Sequence, residues 1–302
     1  MSESSRLAAL NIGRSLPLRR VAGVVVATMF IVPVASRTAK VGSQQYSVVA
    51  CVDAKSPGLT SRDIVVRVEN LSAPATAIKA SPDIRRNIAI VMDAGPDQGK
   101  VLSIEKELAI ALINELSDTG TSFTVAKAGI SSKMQATTPD RSVAIEHIRD
   151  ITGESGEKTS VAIYDAIGSA IRQISLTPGL RVVIFIGEGN DGGSRLRYAE
   201  LRGLAESNQI VFFAALVADH SLRGARSILR YGWNLQDLTD DTAGIFLENQ
   251  KMSKATRQLS EGVQGLRLIT FEMPSRQSGR SKISVLSPRG KRLRAQKAIV
   301  IP

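Results

Sequence analysis

The chain reads as an α/β protein: a doubly wound, mostly parallel sheet flanked by small β-rich N- and C-terminal elements. Three observations predict this. Over residues 83–262, short apolar runs alternate with helical patterns, the rhythm of strands joined by crossover helices. Three of the runs, residues 88–92, 182–186 and 210–217, are apolar without alternation, as parallel strands covered on both faces are. Residues 41–82 and 263–302 are instead rich in short Val and Ile runs cut by Ser56-Pro57-Gly58, Pro274, Gly279 and Pro288-Arg289-Gly290, the mark of strands and turns.

Residues 1–40 read as an address, a signal peptide or N-terminal membrane anchor. Arg14, Arg19 and Arg20 precede sixteen uncharged residues, 21–36, and Ala35 and Ser36 offer a cleavage region. The run is shorter than the roughly 20 residues of a spanning helix, although flanking arginines accommodate a short span. The expected location is therefore exported: periplasmic, secreted or anchored at a bacterial inner membrane.

The next elements follow in order. Residues 46–49 and 63–68 read as strands of a lead-in over 41–82. The run 88–92 is a strand ending at Asp93, and Gly95-Pro96 turns the chain. Ser103 is expected to cap a helix with Ile104, Leu108, Ala111, Leu112 and Leu116 on one face, Glu105 and Glu107 complementing its N-terminus. Residues 121–128 are a strand, 142–151 a helix, and 159–174 a helix apolar over a wide arc, stopped by Pro178-Gly179. A strand at 182–186 leads through an acidic loop to a helix at 194–207, then a strand at 210–217. Helices at 235–242 and 252–259 bracket a short strand at 245–247. Strands at 266–273, 282–286 and 298–301 close the chain.

Charge and composition narrow the functions. The net charge of +11 is uneven: +5 over residues 1–40, −4 over 41–250 and +10 over 251–302. The basic C-terminal segment, with Arg289, Lys291, Arg292, Arg294 and Lys297, could meet an anionic cell-envelope surface. Phe271 is its only aromatic, so it lacks the stacking platforms of single-strand nucleic-acid binders, and no specific nucleic-acid partner is expected. The single Cys51 cannot form an internal disulfide and reads as a small buried hydrophobe. His147 and His220 lack metal-ligand spacing.

Two acidic loops carry the functional reading. Asp93 leaves the first strand of the alternating region, and Gly187-Glu188-Gly189-Asn190-Asp191 leaves the strand at 182–186. Loops leaving parallel strands lie at the carboxyl edge of the sheet, where such folds bind ligands. The Gly-rich run to Gly193 also precedes a helix, as phosphate cradles do, but it lacks the Lys-Ser/Thr of a P-loop and the dinucleotide glycine order.

The order of these pieces resembles the von Willebrand factor A (VWFA) domain, and more closely the bacterial, acidobacterial "VWFA-related" proteins, a Rossmann-like fold. The carrying stretches are 57–66 for the family's "GLT-x-x-DF-x-V" lead-in, 88–95 for its first strand and loop, and 163–167 for "LYDAI". They continue with 184–191 for "LITDGxD" and 238–247 for "LAxxTGGxxF". The resemblance implies a non-catalytic binding module over 83–262, in which an Asp-x-Ser-x-Ser loop, a threonine and a later aspartate hold a divalent ion for a partner's carboxylate. Here Asp93 is kept, Gly95 and Asp97 stand at the serine positions, strict spacing puts Val161 at the threonine with Thr159 two residues early, and Glu188 replaces the aspartate. The metal site is thus degenerate. Magnesium requires near-ideal geometry, whereas calcium would tolerate Asp93, Asp97, Glu188 and Asp191 as an irregular shell.

The expected function is an exported protein-binding or adhesion module whose rim is Asp93, Gly95, Asp97, Thr159, Glu188 and Asp191. The candidate metal residues are Asp93, Asp97 and Glu188. No organic cofactor is expected; magnesium or calcium is the one ion the pattern leaves open. The alternatives are a phosphate- or nucleotide-handling α/β enzyme and a basic-tail anchor to anionic surfaces.

Overall fold

The computed structural model describes residues 43–52, 59–95, 99–130, 132–154, 161–217, 226–274, 278–287 and 293–301. Residues 41–302 form one compact unit. The proposed signal or anchor lies outside the described residues.

The strands are β1 (Ser43–Cys51), β2 (Val65–Val68), β3 (Leu71–Ala80), β4 (Arg86–Asp93), β5 (Thr121–Ala128), β6 (Lys133–Met134), β7 (Leu180–Gly187), β8 (Ile210–Leu216), β9 (Phe246–Glu248), β10 (Leu266–Pro274), β11 (Gly279–Leu286), β12 (Arg294–Ala295) and β13 (Ala298–Ile301). The helices are α1 (Gly99–Leu116), α2 (Arg141–Arg149), α3 (Ile163–Ile174), α4 (Tyr198–Ser207), α5 (Arg226–Asp241) and α6 (Met252–Gln264). Two sheets result.

The first has the order β6-β5-β4-β7-β8-β9. All neighbours run parallel except β6, which is antiparallel to β5. Every residue of β4 and β8 is buried. Alternate side chains feed two apolar clusters: Ile88, Ile90, Val182, Ile184 and Phe213 meet α1, α2 and α6, while Ala89, Val91, Val183, Phe185 and Phe212 meet α3, α4 and α5. Burying a Val, Ile or Phe side chain contributes about 1.5–3 kcal/mol, so unbroken apolar runs are what this layer requires. Phenylalanine is scarce, yet Phe123, Phe185, Phe212, Phe213 and Phe271 are all fully buried.

The second sheet is antiparallel, order β12-β1-β10-β3-β2-β11-β13. Here the sequence reading is corrected: the N- and C-terminal β elements are not separate flanks but one sheet. β1 pairs with β10 from Ser43↔Pro274 to Cys51↔Leu266. The physical reason is size, because a lead-in alternating buried and exposed in β2 cannot bury its apolar face alone. The sheet also curls until residues 293–301 serve both edges. Ala295 pairs with Ala50 of β1, while Leu293 and Lys297 bond β11 through Leu293 N to Val285 O (2.8 Å) and Ile283 N to Lys297 O (2.9 Å). Curling this way leaves little strand edge open.

β3 has no counterpart in the sequence reading, because its ten residues are mostly Ala, Ser and Lys and include Pro74. Pro74 pairs with Val65 of β2, whereas the β10 ladder begins at Ala75, so no amide is required of it on that side. Helices also extend past their expected bounds. α1 starts at Gly99 rather than at Ser103, and α5 starts at Arg226 rather than near Leu235.

The curled sheet docks on the amino edge of the parallel sheet. Gln209 Nε2 donates to Ser47 O (2.9 Å), Lys297 N donates to Asp241 O (2.8 Å), and Lys297 Nζ pairs with Asp241 (3.2 Å). Arg280 donates to both Glu206 oxygens (2.6 and 2.8 Å), and Arg202 bridges Glu206 and Asp241. Burial pushes the Glu206 carboxyl up, but the Arg280 hydrogen bonds and the charges of Arg280 and Arg202 outweigh it and hold it below its usual range. The carboxyl edge is left to loops alone.

Arg280→Ala should lower stability by about 1–2 kcal/mol, the scale of charge-assisted hydrogen bonds discounted for the exposed guanidinium. A depressed carboxyl contributes above its ordinary pKa and loses that contribution as pH falls through the lowered folded value. Denaturant melts should therefore show the wild-type advantage at neutral pH shrinking in acid; an equal gap at every pH would remove Glu206 from this role.

Candidate functional site

β4 lies where the strand order reverses, with β5 and β6 on one side and β7, β8 and β9 on the other. Such a switch point opens a crevice at the carboxyl ends of the two central strands. Asp93 ends β4 there, 1% exposed, its Oδ1 accepting from Gly95 N at 3.1 Å. Gly187 ends β7 beside it. A Cβ on Gly187 would stand 2.3 Å from Asp93 Cβ, so the two strand ends close only because that side chain is missing. Glu188 follows, half-buried.

Asp191 does different work. Its Oδ1 accepts from Ile163 N (2.8 Å), Tyr164 N (3.3 Å) and Ser194 Oγ. It therefore supplies from a distant loop the N-terminal cap that α3 lacks, since Ala162 has no capping side chain. Burial raises its carboxyl above the usual range despite these donors. Asp165 reciprocates: its two oxygens accept from Leu196 N (2.8 Å) and Arg195 N (3.0 Å). Gly192 N and Gly193 N both donate to Val161 O (3.2 and 3.0 Å). Two amides of the Gly-rich run are thus committed inside the fold rather than presented as a phosphate cradle.

Neighbouring loops join the same rim. Ala94 N donates to Ala128 O (2.8 Å), Glu154 N to Ala94 O (3.1 Å), Ala162 N to Gly129 O (2.9 Å) and Ile130 N to Glu154 Oε2 (2.7 Å). Lys127 pairs with Glu154 at 3.2 Å. The expected rim residues Asp93, Gly95, Glu188 and Asp191 do come together. Asp93, Gly95 and Asp191 are buried, however, so they build the rim rather than face a partner. Asp97 and Thr159 lie outside the described residues. Among the outward-facing groups are two that the sequence reading did not place on the rim, Ile130 at 53% exposure and Asn190.

Among the described residues, two features bear on a divalent shell at this rim. A Cβ on Gly95 would meet Val161 Cγ2 at 2.5 Å, so a valine methyl fills the volume that a hydroxyl-bearing residue at 95 would need. Asp191 is engaged with α3. No three acidic, histidine or cysteine side chains among the described residues are placed to hold a metal ion.

Glu105 is the residue that sequence reasoning misassigned. Expected to complement the helix N-terminus, it sits further into α1 and is wholly buried, and neither carboxyl oxygen has a hydrogen-bond partner among the described residues. Burial, then the charges of Asp93 and Glu188, push its carboxyl well above the ordinary glutamate range. A signal was present: Glu105 falls in phase with the buried Val101, Leu102, Leu108, Ala109 and Leu112, an acid in an apolar stripe.

Other expectations shift. Cys51 is half-buried rather than buried, and Arg294 Nη2 donates to its Sγ at 2.9 Å. With Lys297 paired to Asp241, two of the five basic-tail residues are engaged in the fold. Arg289, Lys291, Arg292 and His220 lie outside the described residues.

No family model and no curated protein matches the chain. Among solved structures it is similar in part to a von Willebrand factor type A protein from Catenulispora acidiphila, at TM-score 0.48 and 10% identity over 85% of this chain and 72% of that one. An aerotolerance-related membrane protein from Bacteroides fragilis gives 0.47 and 16%, over 59% of this chain and 98% of that one. BatB from Bacteroides thetaiotaomicron gives 0.43 and 19%, over 59% and 96%. Likenesses at this level assign neither family nor activity.

Two measurements test the site. A carboxyl whose folded pKa is raised contributes most below its unfolded value, and the contribution is lost as pH rises from about 4.3 through the folded value. Glu105→Gln should flatten that decline in denaturant melts; parallel wild-type and variant profiles would mean that Glu105 is not desolvated. Gly95→Ser should cost about 1–3 kcal/mol by overpacking. Val161→Ala in the same chain should recover most of that loss, and simple additivity would break the proposed contact.

Proposed function

We propose that this chain is an exported, non-catalytic, von Willebrand A-like protein-binding module. Its contact surface is the loop rim at the carboxyl edge of the six-stranded sheet, and capture there proceeds without a divalent ion. One observation carries the reading. The loops after β4, β5 and β7 and the segment entering α3 are tied by backbone and carboxylate hydrogen bonds into one surface, with Ile130 and Asn190 facing out. A surface held in place before contact loses little conformational freedom on binding. An exposed large apolar residue on such a surface is a natural anchor.

The family part of the proposal rests on the five residue stretches and on the strand order. Export rests on the arginines and apolar run of residues 14–36. Among the described residues no helix is long and apolar enough to cross a membrane. The phosphate-handling alternative is less well supported, because Gly192 and Gly193 direct their amides at Val161 O.

The test is partner capture by cross-linking from envelope extract of the source cells. Ile130→Asp together with Asn190→Lys should reduce specific capture by about tenfold or more, the effect of losing an anchor worth 1.4 kcal/mol. Chelation of divalent ions should leave wild-type capture unchanged. Equal capture by variant and wild type would move the contact surface elsewhere; loss on chelation would restore a metal to it.

A further inference from the structure

We propose that the cleft between α3 and the loop entering α4 binds an oxyanion group, carboxylate or phosphate, through the guanidiniums of Arg172 and Arg195. The cleft, about 480 Å³, is lined by Ser132, Ser169, Arg172, Arg195 and the acids Asp165 and Glu200, with Leu196 beneath. Asp165, Ser169 and Arg172 are spaced four and three residues apart and share one face of α3. Arg172 Nη1 lies 3.7 Å from where a Gly168 Cβ would stand, so the guanidinium lies back along α3 while the side chain stays exposed.

Arg195 rises from a backbone held by hydrogen bonds to the first turn of α3. Asp165 accepts from Arg195 N and Leu196 N, and Asp165 N donates to Ser194 Oγ (3.1 Å), itself bonded to Asp191. The guanidiniums of Arg172 and Arg195 make no hydrogen bond or ion pair with another described residue. The two acids are engaged. Both Asp165 oxygens accept backbone amides, and Glu200 Oε2 accepts from Arg197 N at 2.8 Å. The lining is neutral overall, with two cations and two anions, but its acceptors are turned into the protein and its donors are open. Selection therefore comes from hydrogen-bond geometry. A planar guanidinium fork matches the paired oxygens of carboxylate and phosphate.

This site stands apart from the rim reading, since anion binding needs no protein partner. The experiment is a titration of the full chain with inorganic phosphate and, separately, acetate at constant ionic strength, followed by amide NMR. Saturable shifts are expected at Ser169 and Arg195. The dissociation constant should rise about tenfold or more in the Arg172→Gln/Arg195→Gln double variant. Both side chains are exposed, so unchanged amide shifts elsewhere will confirm that the variant folds. Tighter binding of phosphate would assign a tetrahedral group, and tighter acetate binding a carboxylate. No saturable shift at these amides with either anion, or equal affinity in the double variant, would overturn the proposal.

Discussion

A helix that begins inside a protein must find acceptors for its first amides, and α3 has none of its own. Asp191 provides them from a loop 28 residues later, by hydrogen bonds to Ile163 and Tyr164. Much of the carboxyl edge depends on this arrangement. The loop that carries Asp191 must lie across the start of α3, and Asp165, in the first turn of that helix, returns two hydrogen bonds to it. The partial positive charge at the helix start and the capping carboxyl stabilise one another. Because the exchange runs both ways, neither the loop nor the helix can shift without the other.

That exchange changes the character of the acidic rim. In sequence, Asp93, Glu188 and Asp191 suggest a cluster of carboxylates presented to solvent or to an ion. In the fold, Asp191 is a capping group and Asp93 is buried against Gly187. The acid that joins Asp93 and Glu188 electrostatically is Glu105, from the buried face of α1. Burial of Glu105 favours its protonated form. Ile130 and Asn190, one apolar and one amide, are among the side chains that face outward at this edge. The Val161 methyl stands where a side chain on Gly95 would have to go, so an apolar group fills that part of the edge.

The two sheets divide the labour by position. The antiparallel sheet takes strands from both ends of the described chain and closes over the amino edge of the parallel sheet. The ion-pair group of Glu206, Arg280, Arg202, Asp241 and Lys297 ties them there. The loops at the opposite edge are therefore free of structural covering by that sheet. A rim that the scaffold does not cover is where a fold of this kind can vary its surface without cost to its core.

Much of the parallel sheet was legible in residue order. Unbroken runs such as 182–186 and 210–217 can only be buried on both faces, and Pro178-Gly179 stops a helix wherever it stands. Asp93 and Glu188 could be placed on loops at one edge for the same reason, since parallel strands send their carboxyl ends the same way. The rest depended on contacts between residues far apart in the chain. β3, with Pro74 among alanines, is a strand only because β2 and β10 flank it. Lead-in and tail are one sheet only because β1 meets β10 more than two hundred residues later. Asp191 stood in a conspicuous loop and Glu105 in an apolar stripe, but their roles as a remote helix cap and a desolvated carboxyl were set by which backbone amides and which apolar faces the tertiary structure brought to them. Local pattern determines which segments must be buried; only packing decides which partner each buried polar group finds.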